Sequence, residues 1–107
     1  MMIATTDELA DMTVVEVKGL VQGNTIRARN VGRDILAGLR NLVGGEITEY
    51  TRLMTESRSE ATERMVAEAE ALGANAIVGV RFTTSMVIAG AAELLAYGTA
   101  VIVERPS

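Results

Sequence analysis

The sequence predicts one α+β domain, and three observations carry that prediction. Two stretches repeat apolar side chains at three- and four-residue steps, the period of a helix; two others are unbroken apolar runs rich in β-branched residues, the mark of strands covered on both faces. Glycines stand where these patterns end. At 107 residues the chain can bury roughly two-thirds of its unfolded surface in one core, and two cores would be starved. A single domain spanning residues 1–107 is expected.

The first element is Thr13-Val14-Val15-Glu16-Val17-Lys18, whose alternation predicts a half-buried strand with Val15 and Val17 facing opposite to Glu16 and Lys18. Gly19 marks a bulge or bend, after which the chain runs extended through Leu20 and Val21, turns at Gly23-Asn24 and resumes over Ile26 to Arg29. From Asn30 the period changes. Val31, Ile35, Leu39 and Leu42 predict a short helix, with Asn30 as its N-cap and Gly44-Gly45 as its end.

A second helical pattern runs from about Glu46 to Leu72, with Ile47, Tyr50, Met54, Ala61, Met65, Ala69 and Leu72 on one side and Glu56, Glu60, Glu63 and Glu70 on the other. Gly73 ends it. One helix of about 40 Å fits this pattern, and so does a helix broken in the Ser- and Thr-containing segment Thr55 to Ser59. Ala76-Ile77-Val78-Gly79-Val80 then predicts a central strand, and Leu94 to Val103 a second one. Ser85 to Ala92, containing Gly90, is the expected hairpin turn, and Arg105-Pro106-Ser107 a tail.

Composition narrows the function. The apolar fraction is 49% and the mean hydropathy +0.26, yet the chain holds no Trp, one Phe and two Tyr. So much apolar surface on so small a body predicts self-association. Acidic Asp7 and Glu8 stand where an export signal carries positive charge, so the mature chain is expected to start near residue 1. The longest uncharged run, between Arg81 and Glu93, is too short to cross a bilayer. The absence of Cys fits the cytoplasm. A net charge of −4 argues against nucleic-acid binding, which needs clustered Lys and Arg. The charge is unevenly spread: residues 17–45 carry Lys18, Arg27, Arg29, Arg33 and Arg40 against Asp34 alone, and this stretch is expected to pair with acidic helix faces, with an anion site as the alternative.

Three stretches together, Ile26 to Gly45, Gly73-Ala74-Asn75-Ala76-Ile77-Val78-Gly79-Val80 and Gly98-Thr99-Ala100-Val101, resemble the YbjQ-like family of small bacterial and archaeal proteins. The resemblance covers nearly the whole chain. It implies a two-layer α+β subunit similar to that of dodecin, an antiparallel sheet packed with one short and one long helix, assembled as a homopentameric ring. It also implies a family label of heavy-metal binding. Where many relatives carry an acidic stretch after the Gly79-Val80 strand, this chain has Phe82-Thr83-Thr84-Ser85, and it has Glu46 where relatives often carry a base.

Soft metals prefer thiolate and imidazole ligands, and the chain has neither Cys nor His. Carboxylates remain for a hard cation, with Glu46, Glu49 and Glu93 as candidates by residue type, and a ring could gather one from each subunit. Methionines at helical spacing are core filler more often than ligands. Without His or Cys there is no partner set for nucleophilic catalysis, and Gly44-Gly45 is not followed by the Lys and Ser or Thr of a phosphate loop. The lack of Trp removes the stacking platform a flavin would want.

Arg33 lies three residues after the expected cap, at the positive end of a helix dipole, where a cation needs a compensating group. Asp34 points about 100° away around the helix, so a carboxylate from another element or subunit is expected to hold Arg33, with a bound anion as the alternative. Arg29, Asn30, Arg33 and Asp34 are thus the candidate ligand-binding residues. The sequence predicts a non-catalytic homo-oligomer that binds a small ligand or ion at its subunit interfaces, with its own copies as partners. The alternative is an enzyme using interface carboxylates and arginines. Neither the cofactor nor the metal is specified by the sequence.

Overall fold

In a computed structural model that describes residues 1–27, 48–88 and 91–106, four strands form one sheet: β1 (Met2–Ile3), β2 (Thr13–Arg27), β3 (Ala76–Ile88) and β4 (Ala91–Glu104). Helix α1 (Thr48–Ala71) packs on one face. The strand order is β1-β3-β4-β2. Strand β4 pairs antiparallel with both β2 and β3, while β1 runs parallel to β3, so the sheet is mixed and not wholly antiparallel as expected. The expected short helix from Asn30 to Gly45 lies outside the described residues.

Strand β1 is two residues long and shows no sequence period, which is why pattern reading misses it. Backbone hydrogen bonds tie it and the residues after it to β3: the Met2 N–H donates to the Asn75 carbonyl at 3.4 Å, the Ala4 N–H to Ile77 at 2.9 Å, the Val80 N–H to Ala4 at 3.0 Å and the Gly79 N–H to Thr6 at 2.8 Å. The Arg81 guanidinium also donates to the Thr5 carbonyl at 2.7 Å. These bonds lay the N-terminal segment along β3, so that Leu9 and Met12 pack on Ala76, Val78, Val101 and Val103 on the face away from α1.

Helix α1 runs unbroken through Thr55 to Ser59. Its hydroxyls turn back on the preceding turn: Thr55 donates to the Thr51 carbonyl, Ser57 to Leu53 and Thr62 to Arg58, at 2.8–2.9 Å. They are satisfied inside the helix and do not compete with it. The end is a Schellman motif. Gly73 takes φ +81°, its N–H donates to the Glu70 carbonyl and the Ala74 N–H to Ala69, and Ala74 packs against the core beside Ala69.

Ala61, Met65 and Ala69 face the sheet and bury with Val21, Ile77, Val80, Leu94, Ala96 and Ala100. Of the expected inner side, these three are buried and Met54 is half-buried, Ile47 and the side chain of Tyr50 lie outside the described residues, and Leu72 is exposed because the helix has already stopped at Ala71. Ser57 is buried on this side too, and Thr25, also buried, donates to its carbonyl at 3.5 Å. In the run Ala76 to Val80, Ala76, Ile77, Val78 and Val80 are buried and Gly79 half-buried, and the strand is interior to the sheet, as its composition predicts.

Three local expectations are corrected. Gly23-Asn24 is not a turn: both residues lie inside β2, opposite Ala96 and Leu95. The glycine is there for α1, since a Cβ on Gly23 would meet the Ala61 carbonyl oxygen at 2.3 Å and the Met65 nitrogen at 2.4 Å. Ser85 to Ala92 is mostly strand, with β3 and β4 paired as far as Ile88 opposite Ala91. Val15 and Val17 do not form a buried face. Register shifts at Val14/Glu16 and Val17/Gly19 leave Val15 and Lys18 as extra residues, and Val15 and Val17 are exposed. The second shift is the irregularity foreseen at Gly19, which takes φ +123°.

Candidate functional site

Residues opposite one another in an antiparallel pair share a face, so the register separates the two sides of the sheet. Val21, Gly23 and Thr25 lie under α1 with their partners Gly98, Ala96 and Leu94. The intervening residues lie on the other face, where Val14 pairs with Val103, Val17 with Val101, Leu20 with Thr99 and Ile26 with Glu93. The N-terminal segment covers Val101 and Val103 but not their β2 neighbours. Val17, Leu20 and Ile26 are 64%, 66% and 57% exposed, a stripe of large aliphatic side chains along a strand at the edge of the sheet. Half-buried Leu95, Tyr97 and Thr99 of β4 continue the open face inward.

The free edge of β2 is partly occupied by the chain itself. Glu68 of α1 accepts the Gln22 backbone N–H at 3.3 Å, and Arg64 donates to the Asn24 carbonyl at 2.5 Å while pairing with Glu60 one turn back. Polar side chains of the helix thus take up edge groups that would otherwise template another strand. Nearer its start, β2 is broken by its two bulges.

Polar chemistry on the open face is sparse. Glu93 accepts from the Asn24 side-chain amide at 3.1 Å and from Ser85 at 3.5 Å. Among the described residues no three Asp or Glu side chains converge on a point that would hold a metal ion. Of the carboxylates named from sequence, Glu46 and the side chain of Glu49 lie outside the described residues, and Glu93 stands with amide and hydroxyl partners. Arg29, Asn30, Arg33 and Asp34 lie outside them as well, so the structure brings none of the four to a site. No helix among the described residues is long and apolar enough to cross a membrane.

The fold and the open face define a class: a small α+β protein that, among the described residues, has a long helix on one side of a mixed sheet and exposed aliphatic side chains on the other. The chain belongs to the YbjQ family, whose model, described as "Putative heavy-metal-binding", matches residues 1–104. It is 61% identical over 99 residues to a UPF0145 protein of Archaeoglobus fulgidus, covering 92% of each chain. A UPF0145 protein of Halorubrum lacusprofundi is 59% identical over 94% of this chain and 97% of that one. One of Dehalococcoides mccartyi is 57% identical over 97% of this chain and the whole of that one. Among solved structures, a Pediococcus pentosaceus protein of unknown function in the DUF74 family superposes with a TM-score of 0.64, at 20% identity over 97% of this chain and 98% of that one. That likeness shows the fold. The relatives are uncharacterised, and no catalytic activity is indicated by any of them.

Proposed function

We propose that the protein works in the cytoplasm as a ring of identical subunits, five by its family resemblance and dodecin-like in packing, and that it binds a small ligand or ion where subunits meet, without catalysis. One observation carries this reading: Val17, Leu20 and Ile26 stand more than half exposed on one face of an edge strand. The size of the surface supports it. A compact protein of 11.4 kDa exposes roughly 5,800 Å², and this chain exposes 7096 Å². Its radius of gyration is 17.3 Å, against about 13 Å for a compact domain of this length. Strands of 13–15 residues are well over the usual five or six.

Light scattering and native mass spectrometry of the purified protein are expected to give one closed oligomer, with any bound ligand visible as added mass. A stable monomer at micromolar concentration would overturn the reading.

The family's heavy-metal description does not fit the donor set of this chain. With neither Cys nor His it offers carboxylates, carbonyls and thioethers, which suit Mg²⁺, Ca²⁺ or Mn²⁺ better than soft ions. Titration calorimetry with Zn²⁺, Cu²⁺ and Cd²⁺ is expected to show no stoichiometric sub-micromolar binding. Such binding by any of the three would restore the heavy-metal reading.

A further inference from the structure

We infer that residues 1–12 form a strap that lifts off the sheet as one unit while the strands and α1 stay folded, and that its lifting uncovers Ala76, Val78, Val101 and Val103.

The strap is lightly held for what it covers. None of its twelve residues is fully buried: Ala4, Leu9 and Met12 are half-buried and the other nine are exposed, Met1, Met2 and Ile3 at 42–46% among them. Beneath it, Ala76, Val78, Val101 and Val103 are only 0–7% exposed, and Leu9 and Met12 are the strap's side chains that pack on this cluster. Fixing the path of a segment costs conformational entropy at every residue, and here little apolar burial offsets it.

Its polar attachments can pass to water. Between Val78 and Arg81 the pairing of β3 with β4 skips, and there Gly79, at φ +62°, and Val80 send two successive N–H groups to the Thr6 and Ala4 carbonyls. Exposed Arg81 adds its bond to the Thr5 carbonyl. With the strap lifted, these donors stand at the edge of the sheet, where water replaces the lost carbonyls and no buried polar group is stranded.

The two apolar anchors share one tight turn. The Met12 N–H donates to the Leu9 carbonyl at 3.2 Å and Asp11 takes φ 60°, so Leu9 and Met12 leave or stay together, with Thr13, where β2 begins, as the hinge. Once they leave, edge bonds beneath exposed side chains are what remains, and a two-residue strand does not hold on such bonds alone. Lifting also joins Val103 and Val101 to Val14 and Val17, their exposed partners on β2, so the uncovered aliphatic surface widens from β2 across β4 to β3.

Amide hydrogen exchange of the whole protein at low denaturant tests this. The Gly79 and Val80 amides should exchange at least about a hundredfold faster than those of β4, which has a strand on each side, and with a weaker dependence on denaturant, because little surface is exposed when the strap lifts. Leu9→Ala should then speed both amides by about tenfold, although both bond to residues other than Leu9, because packing and bonds are lost in one step. Gly79 and Val80 amides with the protection and denaturant slope of β4 would mean that the strap opens only with the whole sheet, and would overturn the inference. A change of less than about twofold in Leu9→Ala would overturn it as well, since the chain end would then fray residue by residue with Leu9 still packed.

Discussion

Gly23→Val should undock α1 and leave a protein that barely folds, the largest single-residue effect expected outside the hydrophobic side chains themselves. A Cβ at position 23 lies 2.3 Å from the Ala61 carbonyl oxygen, 2.4 Å from the Met65 nitrogen and 2.8 Å from Arg64 Cβ. Two of these atoms are helix backbone, which cannot swing aside as a side chain can. The helix would have to retreat by roughly 1 Å, and retreat separates Ala61, Met65 and Ala69 from Val21 and Ile77. Valine suits a strand better than glycine by about 0.5–1 kcal/mol, so local propensity pulls the other way. Overpacking costs ~1–3 kcal/mol even where side chains can adjust, and more where they cannot, so the clash wins.

Gly23→Ala already places the offending atom and should cost about 3 kcal/mol, a fall in melting temperature of roughly 12–24 °C. Melts must be compared at one protein concentration, because assembly adds its own stability. Gly19→Ala is the control. Nothing lies within 4 Å of a Cβ there, and its cost comes from φ +123° alone, on the order of 1–2 kcal/mol. If the two alanine variants melted alike, the close approach of α1 would not be the reason for Gly23.

The same glycine shows where sequence reading stops. Gly23-Asn24 carries a turn signal, but the cause of the glycine is a helix that crosses β2 some 40 residues later in the chain, and no local pattern encodes that. Features with local causes were legible. The run Ala76 to Val80 reads as a central strand because burial on both faces demands apolar residues at every position, and Gly73 reads as a helix end because only the left-handed backbone closes the Schellman bonds. Asn75, conspicuous in the motif around it, proves to extend the sheet by its side chain: its amide donates to the Val103 carbonyl at 2.9 Å and its oxygen accepts the Val103 N–H at 2.8 Å.

The open face was half legible. The surplus of apolar residues pointed to an interface, yet the alternation in Thr13 to Lys18 placed Val15 and Val17 together on a buried side. A bulge shifts every later side chain to the opposite face, and β2 contains two within five residues. Only Gly19 hinted at one of them. Thr25 and Ser57, buried between α1 and β2, also escaped notice, since a polar residue enters a core through a hydrogen bond that composition does not announce.

Gly98→Val should be the second severe substitution, and it probes the sheet where Gly23 probes the layer contact. Gly98 sits on β4 under α1, opposite Val21 on one side and beside the irregular part of β3 on the other, where pairing jumps from Val78 to Arg81. Gly79 takes φ +62° in that gap, and Val80 turns into the core. A Cβ on Gly98 would lie 2.8 Å from Ile77 Cγ2, 3.0 Å from the Val78 carbonyl oxygen and 3.2 Å from Val80 Cγ2. The missing side chain therefore lets Ile77 and Val80 close over β4 from both ends of the bulge. Ile77 Cγ2 is fixed by the stiff χ1 of a fully buried β-branched side chain and the Val78 oxygen is backbone, so Gly98→Ala already forces a shift and should cost about 1–2 kcal/mol. Valine adds two more methyls with a stiff χ1 and nowhere to turn, and should cost ~2–3 kcal/mol, partly offset by its strand propensity. The expected readout is a graded series in thermal melts, parent above Gly98→Ala above Gly98→Val, with less protein recovered as the assembled form for valine. Pairing Gly98→Val with Ile77→Val, which removes one methyl group from the crowded side, should recover part of the loss, because the two substitutions share one space. A Gly98→Val protein that assembles and melts like the parent, or a loss that Ile77→Val deepens by its full separate cost, would mean that Ile77 and Val80 do not close over this glycine.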